Sequence, residues 1–160
     1  MTRSQSYGAG VPRRARRDVL PDYGVFHVVS RGVGDTRIFG DDRDRRFFLG
    51  LLAIVTRVFE LRCEVFCLMN THYHAVFECH REPLATALHR LNGRYASAYN
   101  KRYRRRGHLF ADRYSAWIVE TEDHLAATIR YVIANPVSAG LCDDPLDWRW
   151  SGSRYGGDVF

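Results

Sequence analysis

The segment from Leu61 to Cys79 constrains this chain more than any other part of it. Two runs rich in β-branched and aromatic residues, 61–68 and 72–79, are joined through the turn residues Asn70-Thr71 and read as two strands. The second run carries His72-Tyr73-His74. Strand side chains alternate between faces, so the two imidazoles share one face and Tyr73 points into the opposite layer. At that spacing both rings reach one divalent cation. Two histidines on a half-exposed strand face are the plain alternative, so a metal-binding reading needs support from elsewhere in the chain.

The flanking sequence supplies the rest of a fold. Tyr23 to Ser30 is a first strand, followed by the turn-rich Arg31-Gly32-Val33-Gly34-Asp35. Asp41-Asp42 offers an N-cap for a helix over 43–59, with Phe47, Phe48, Leu51, Leu52, Val55 and Val58 expected on its buried side. Pro83 opens a second helix to about Tyr103, whose stripe of Leu84, Ala87, Leu88, Leu91, Tyr95, Ala98 and Tyr99 faces a core. Residues 114–120 form a fourth strand. Thr121 caps a third helix over 122–134, expected to stop before Pro136. Leu141, Trp148 and Trp150 are expected to fold back on the core. The order is the ferredoxin-like βαββαβ of an α+β domain, with a C-terminal helix appended. Residues 1–20 lack periodicity and read as a mobile basic tail, and 21–160 as one domain.

The third helix carries the second half of the chemistry. At about 100° per residue, His124, Thr128, Tyr131 and Asn135 fall within about 60° of one another. Leu125, Ile129, Val132 and Ile133 occupy a different sector. Tyr131 therefore lies on the polar side of an amphipathic helix, where a core tyrosine is out of place. Laid across the open sheet face, such a helix brings Tyr131 and Asn135 to an ion held by His72 and His74. Tyr95, Tyr99 and Tyr103, on the apolar stripe of the second helix, read as packing residues.

The chain has 160 residues, a net charge of +6 and a pI near 9.4, and all its basic residues but Lys101 are arginines. Arginine grips phosphate with two prongs, as lysine does not. The charge is clustered at Arg13, Arg14, Arg16 and Arg17 and again at Lys101, Arg102, Arg104, Arg105 and Arg106. Both clusters point to a polyanion, with nucleic-acid backbone the leading candidate. No apolar run approaches the ~20 residues of a membrane span. No signal-peptide segment is visible either, so a cytoplasmic protein, nucleoid-associated when bound to DNA, is expected. Cys63, Cys67, Cys79 and Cys142 show no paired spacing and read as reduced packing residues.

With FHVVSRG (26–32), LMNTHYHAVFE (68–78), GHLFADRY (107–114), YVIANPVSAGL (131–141) and DWRWS (147–151), the chain resembles the REP-associated tyrosine transposases. These are single-tyrosine members of the HUH endonuclease superfamily. The resemblance spans residues 23–154. It departs from the family at Asn70-Thr71, where Pro-Asn or a similar pair is usual. The resemblance implies Tyr131 as nucleophile, His72, His74 and Asn135 as metal ligands, and Mg²⁺ or Mn²⁺ as the ion. It also implies single-stranded or hairpin DNA as partner, cut to a covalent 5′-phosphotyrosine and a free 3′ hydroxyl before rejoining. Glu78 and His124 are candidates to back up the ligands. His27, His80, His89 and His108 read only as structural or surface residues. Monomer and homodimer both stay open. Two alternatives remain: a non-catalytic regulator that binds hairpin DNA or RNA, and a metal-dependent hydrolase that uses water.

Overall fold

Asp41 starts the first helix, α1 (Asp42–Val58), through a capping box. Its carboxylate accepts from the backbone N–H groups of Arg43 and Asp44, while the Asp44 side chain accepts from the Asp41 N–H. The remaining elements follow the predicted order in a computed structural model that describes residues 20–155. They are β1 (Tyr23–Arg31), β2 (Arg62–Leu68), β3 (His72–His80), α2 (Arg81–Tyr103), β4 (Ser115–Val119) and α3 (Glu122–Ser138), to which the structure adds an unpredicted short β5 (Ser151–Ser153). The sheet runs β4-β1-β3-β2-β5, every neighbouring pair antiparallel. Its first four strands have the ferredoxin-like order, so the α+β expectation holds, with β5 added at one edge. That strand is only Ser-Gly-Ser and carries no alternation to read.

Alternation along β3 splits the molecule into layers. Tyr73, Ala75, Phe77 and Cys79 face α1 and α2, in a core with Phe26, Val28, Phe48, Leu52, Leu84, Leu88, Leu91 and Tyr95. Each fully buried Leu or Phe there contributes about 1.5–3 kcal/mol. Phe47 and Val58, expected inside, are 47% and 58% exposed. Their places on the buried side of α1 are taken by Asp44, Arg45 and Thr56. Tyr95 and Tyr99 of α2 pack as expected, donating to the Ile38 and Arg37 carbonyls, whereas Tyr103 is 38% exposed and donates to the Asp44 carboxylate.

Helix α3 covers the other face. Val132, with Leu125, Ile129 and Ile133 partly buried around it, packs on Val65, Cys67, Met69 and Val76. The helix does not stop before Pro136 but runs through it to Ser138. Proline removes one backbone N–H and crowds the carbonyl four residues earlier. Here Pro136 is buried beside Val132, and the Asn135 side-chain amide donates to the Tyr131 carbonyl at 2.9 Å. The helix ends only where the Gly140 and Leu141 N–H groups reach the Val137 and Pro136 carbonyls.

The turn before His72 is pinned on several sides. The Asn70 and Thr71 carbonyls accept from the N–H groups of Ile38 and Gly32, at 2.9 and 2.8 Å, and the Asn70 Oδ1 accepts from Arg45 at 2.6 Å. That guanidinium sits 5.3–5.7 Å from the rings of Phe39, Trp148 and Trp150. Gly32 allows the approach, since a Cβ there would lie 2.2 Å from the Thr36 carbonyl oxygen. The Trp148 indole donates to the Leu68 carbonyl and Trp150 is buried, so the C-terminal segment folds back as expected.

Candidate active site

Three imidazoles gather on the α3 face of the sheet. The rings of His72 and His74 lie 5.0 Å apart. His27 joins them from β1: it faces Val76 in the register, one diagonal step from His74. Its Nε2 is 3.0 Å from the His74 Nδ1. The His72 Nδ1 is 3.1 Å from the Thr71 Oγ1. Both histidines of the His-Tyr-His run thus engage Nδ1 within the fold. His74 is 4% exposed, and its Nε2 is buried without a hydrogen-bond partner.

Burial lowers the basicity of all three rings. His74 falls to about 3, chiefly by desolvation and then by the neighbouring His72, His27 and Arg31. His72 falls to about 4 through desolvation and Arg31, and His27 to about 4 through desolvation and His124. At neutral pH each ring is uncharged, the form that offers a lone pair to a metal.

Helix α3 brings Tyr131 to this cluster. Its ring centroid is 5.8 Å from that of His74 and 6.1 Å from that of His27, both edge-on, and it is 48% exposed. Asn135 is one turn further on the same helix, with its amide nitrogen tied to the Tyr131 carbonyl. Among the described residues, no three His, Cys, Asp or Glu side chains form a ready cage. An ion held by the two imidazoles would need a donor of another type, for which the Asn135 amide oxygen is the expected candidate. The orphaned Nε2 of His74 and the neutral rings fit a divalent ion in such a mixed nitrogen and oxygen set.

Of the two backup candidates, Glu78 is engaged away from the cluster, and His124 acts on it only through its charge on His27. Glu78 sits four residues beyond His74 on β3, about 13 Å along the strand, where it accepts from the Tyr23 hydroxyl and pairs with Arg62. His124 is two turns before Tyr131, about 10 Å along the helix axis, with its Nδ1 accepting from the Glu120 N–H. Neither is brought against the His72–His74 pair.

The basic run at the end of α2 divides in the same way. Lys101, Arg104 and Arg106 are exposed. Arg105 folds back on Asn100 and the Tyr99 ring. Arg102 pairs with Asp41 and the buried carboxylate of Asp44, and its hydrogen bond holds the Asp41 carboxyl well below the usual carboxylate range. Its guanidinium thus stitches α2 to the start of α1, a structural role where a phosphate contact was expected. Arg13, Arg14, Arg16 and Arg17, with the basic tail they define, lie outside the described residues.

Sequence reading gave no functional role to two residues of this face, His27 and Arg31, and left Trp117 open between core packing and base stacking. His27 was masked because β1 is apolar on both sides, so its alternation does not reveal which face carries function. Arg31 lies opposite His72 in the register and pairs with Asp35 at 3.1 Å. The loop after the basic run is laced to that strand end, the Ala111 N–H donating to the Arg31 carbonyl and the Val33 N–H to the Leu109 carbonyl. Trp117 on β4 is 46% exposed, its ring 5.7 Å from His27.

Residues 24–135 match the family model described as "Transposase IS200 like". The chain belongs to the IS200-like transposase family. It is therefore a DNA-processing protein of the transposase type, and the resemblance carried by its motifs agrees. No curated protein matches it. Among solved structures, a REP-associated tyrosine transposase bound to a REP hairpin aligns with a TM-score of 0.68 at 13% identity, over 95% of this chain and 94% of that one. The two share a fold. A Deinococcus radiodurans R1 protein assigned as a transposase aligns at a TM-score of 0.48 and 14% identity, over 84% of this chain and 97% of that one. That second likeness carries no argument. Among the described residues of this IS200-like chain, no helix is long and apolar enough to cross a membrane.

Proposed function

We propose that this transposase cuts and rejoins single-stranded DNA beside a hairpin, with Tyr131 as nucleophile and His72, His74 and Asn135 as the ligands of a divalent ion, Mg²⁺ or Mn²⁺. The observation that carries the reading is the half-exposed Tyr131 ring 5.8 Å from His74, whose Nε2 is buried without a partner. The hairpin substrate is suggested by the DNA in the similarly folded REP-associated transposase.

The Tyr131 phenol oxygen attacks the scissile phosphorus and loses its proton. The bond from phosphorus to the 3′ oxygen breaks, and that oxygen leaves as a hydroxyl after taking up a proton. The 5′ end stays on Tyr131 as a phosphodiester, which conserves the bond energy. Attack by another strand's 3′ hydroxyl reverses the step, rejoining the DNA and freeing the tyrosine. A divalent ion, when bound, would offset charge on the non-bridging phosphate oxygens and make the phenol an effective nucleophile at neutral pH.

The protein's own groups position the substrate. Trp117 offers a flat face beside His27 on which an unpaired base stacks. Arg31, Lys101, Arg104 and Arg106 supply charge for the backbone, which fixes position rather than sequence. The test is a denaturing gel of wild type and Tyr131→Phe with labelled hairpin-bearing single-stranded DNA and Mn²⁺. A covalent protein–DNA band with wild type and none with the variant supports the reading. Cleavage by both proteins without such a band makes water the nucleophile. Binding without cleavage by metal-loaded wild type makes the protein a regulator.

A further inference from the structure

His27 has no assigned role in the chemistry, yet it makes the closest polar contact to His74. The His27 Nε2 and His74 Nδ1 are 3.0 Å apart, and one proton lies between them. Two arrangements satisfy that bond. If His27 donates, the proton of neutral His74 sits on its Nε2, a buried N–H with nothing to receive it. If His74 donates from Nδ1, its Nε2 carries an unprotonated lone pair that no protein group uses. Only the second arrangement leaves a metal ligand.

We infer that His27 is a positioning residue that accepts the His74 Nδ1–H bond, so that His74 presents its Nε2 lone pair to the divalent ion. This rests on the metal reading above and deepens it. The fold supports the role on both sides of the ring. His27 is fixed on a central strand between β3 and β4, and the rings of Trp117 and Tyr131 flank it at 5.7 and 6.1 Å. Accepting at Nε2 requires its own proton on Nδ1. A metal-bound histidine whose other nitrogen donates to a fixed acceptor is held in one tautomer and one orientation, and is a more basic ligand. Thr71 Oγ1, at the Nδ1 of His72, stands in the corresponding place for the other ring. The acceptor for His74 thus comes from a different strand, where no local motif marks it.

Mn²⁺ binding to the full chain without DNA, followed by electron paramagnetic resonance, tests this apart from turnover. His27→Phe keeps a flat ring and removes the acceptor. It is expected to weaken Mn²⁺ binding about 10–100-fold, the usual effect of losing such a partner. His27→Gln, whose side-chain oxygen reaches about as far as the imidazole Nε2, is expected to recover most of the affinity. His27→Leu is a second acceptor-free variant should His27→Phe fail to fold, with thermal melts confirming the fold of each. Wild-type affinity in a folded His27→Phe or His27→Leu overturns the inference and leaves the metal reading standing. So does a His27→Gln as weak as the acceptor-free variants. Wild type that binds no Mn²⁺ overturns the metal reading, and this inference with it.

Discussion

The two faces of one sheet use the same residue types for opposite ends. On the α1/α2 face, Tyr73 is buried, its hydroxyl donates to Asn92 at 2.9 Å, and burial pushes its pKa far up. On the α3 face, Tyr131 stands half exposed over two imidazoles. The first face is a continuous apolar core. The second has a small apolar cluster under the middle of α3 and gives the rest to histidines, one with an unsatisfied nitrogen. Stability is concentrated on one side so that the other carries polar groups that cost stability until a ligand binds.

The sharpest break of this comparison exchanges the tyrosines. Tyr131→Phe is expected to abolish the covalent DNA adduct on denaturing gels and to shift urea-melt stability by no more than about 0.5 kcal/mol, as for a surface change. Tyr73→Phe is expected to keep the adduct but cost about 1–3 kcal/mol, because the half-buried Asn92 loses the donor that the buried Tyr73 hydroxyl supplies. Equal destabilisation by both would erase the distinction between the faces.

A similar contrast separates His74→Ala from Phe48→Ala. Loss of His74 is expected to remove metal-dependent cleavage while gel-shift affinity for hairpin DNA holds. Loss of the fully buried Phe48 is expected to cost about 3–5 kcal/mol in a urea melt, with chemistry surviving at temperatures where the variant stays folded.

Acid sharpens the comparison further. His27, His72 and His74 have folded pKa values of about 4, 4 and 3, below the 6.5 of a free histidine. The unfolded chain therefore takes up these protons first. Their contribution is complete above about pH 6.5 and is lost as pH falls through about 4 for His27 and His72 and about 3 for His74. Thermal melts of metal-free protein are expected to show a falling melting temperature across that window, with a shallower fall in His74→Ala. A flat profile would mean that the imidazole face is not desolvated.

The smallest effect divides the basic run of α2. Arg104→Ala with Arg106→Ala is expected to lower the salt slope of DNA binding by about 0.7–0.9 per lost phosphate contact. Arg102→Ala is expected to lower the melting temperature instead, with the slope unchanged, because its partners are Asp41 and Asp44. Fluorescence anisotropy at several salt concentrations, beside thermal melts, separates the two.

The linear sequence by itself determined the order of elements, the capping of α1 and α3, the shared face of His72 and His74, and the polar side of α3 that carries Tyr131 and Asn135. Each is a local property, set by side-chain periodicity within one element or by a cap within one turn. Only the tertiary structure decided that β1 brings His27 to His74, that α3 continues through Pro136, that Glu78 pairs with Tyr23 and Arg62, and that Arg102 closes on Asp41 and Asp44. These depend on strand register and on which side chains meet across dozens of intervening residues. An apolar strand such as β1, packed on both faces, does not announce which side is which; its neighbours settle that only once the sheet has closed.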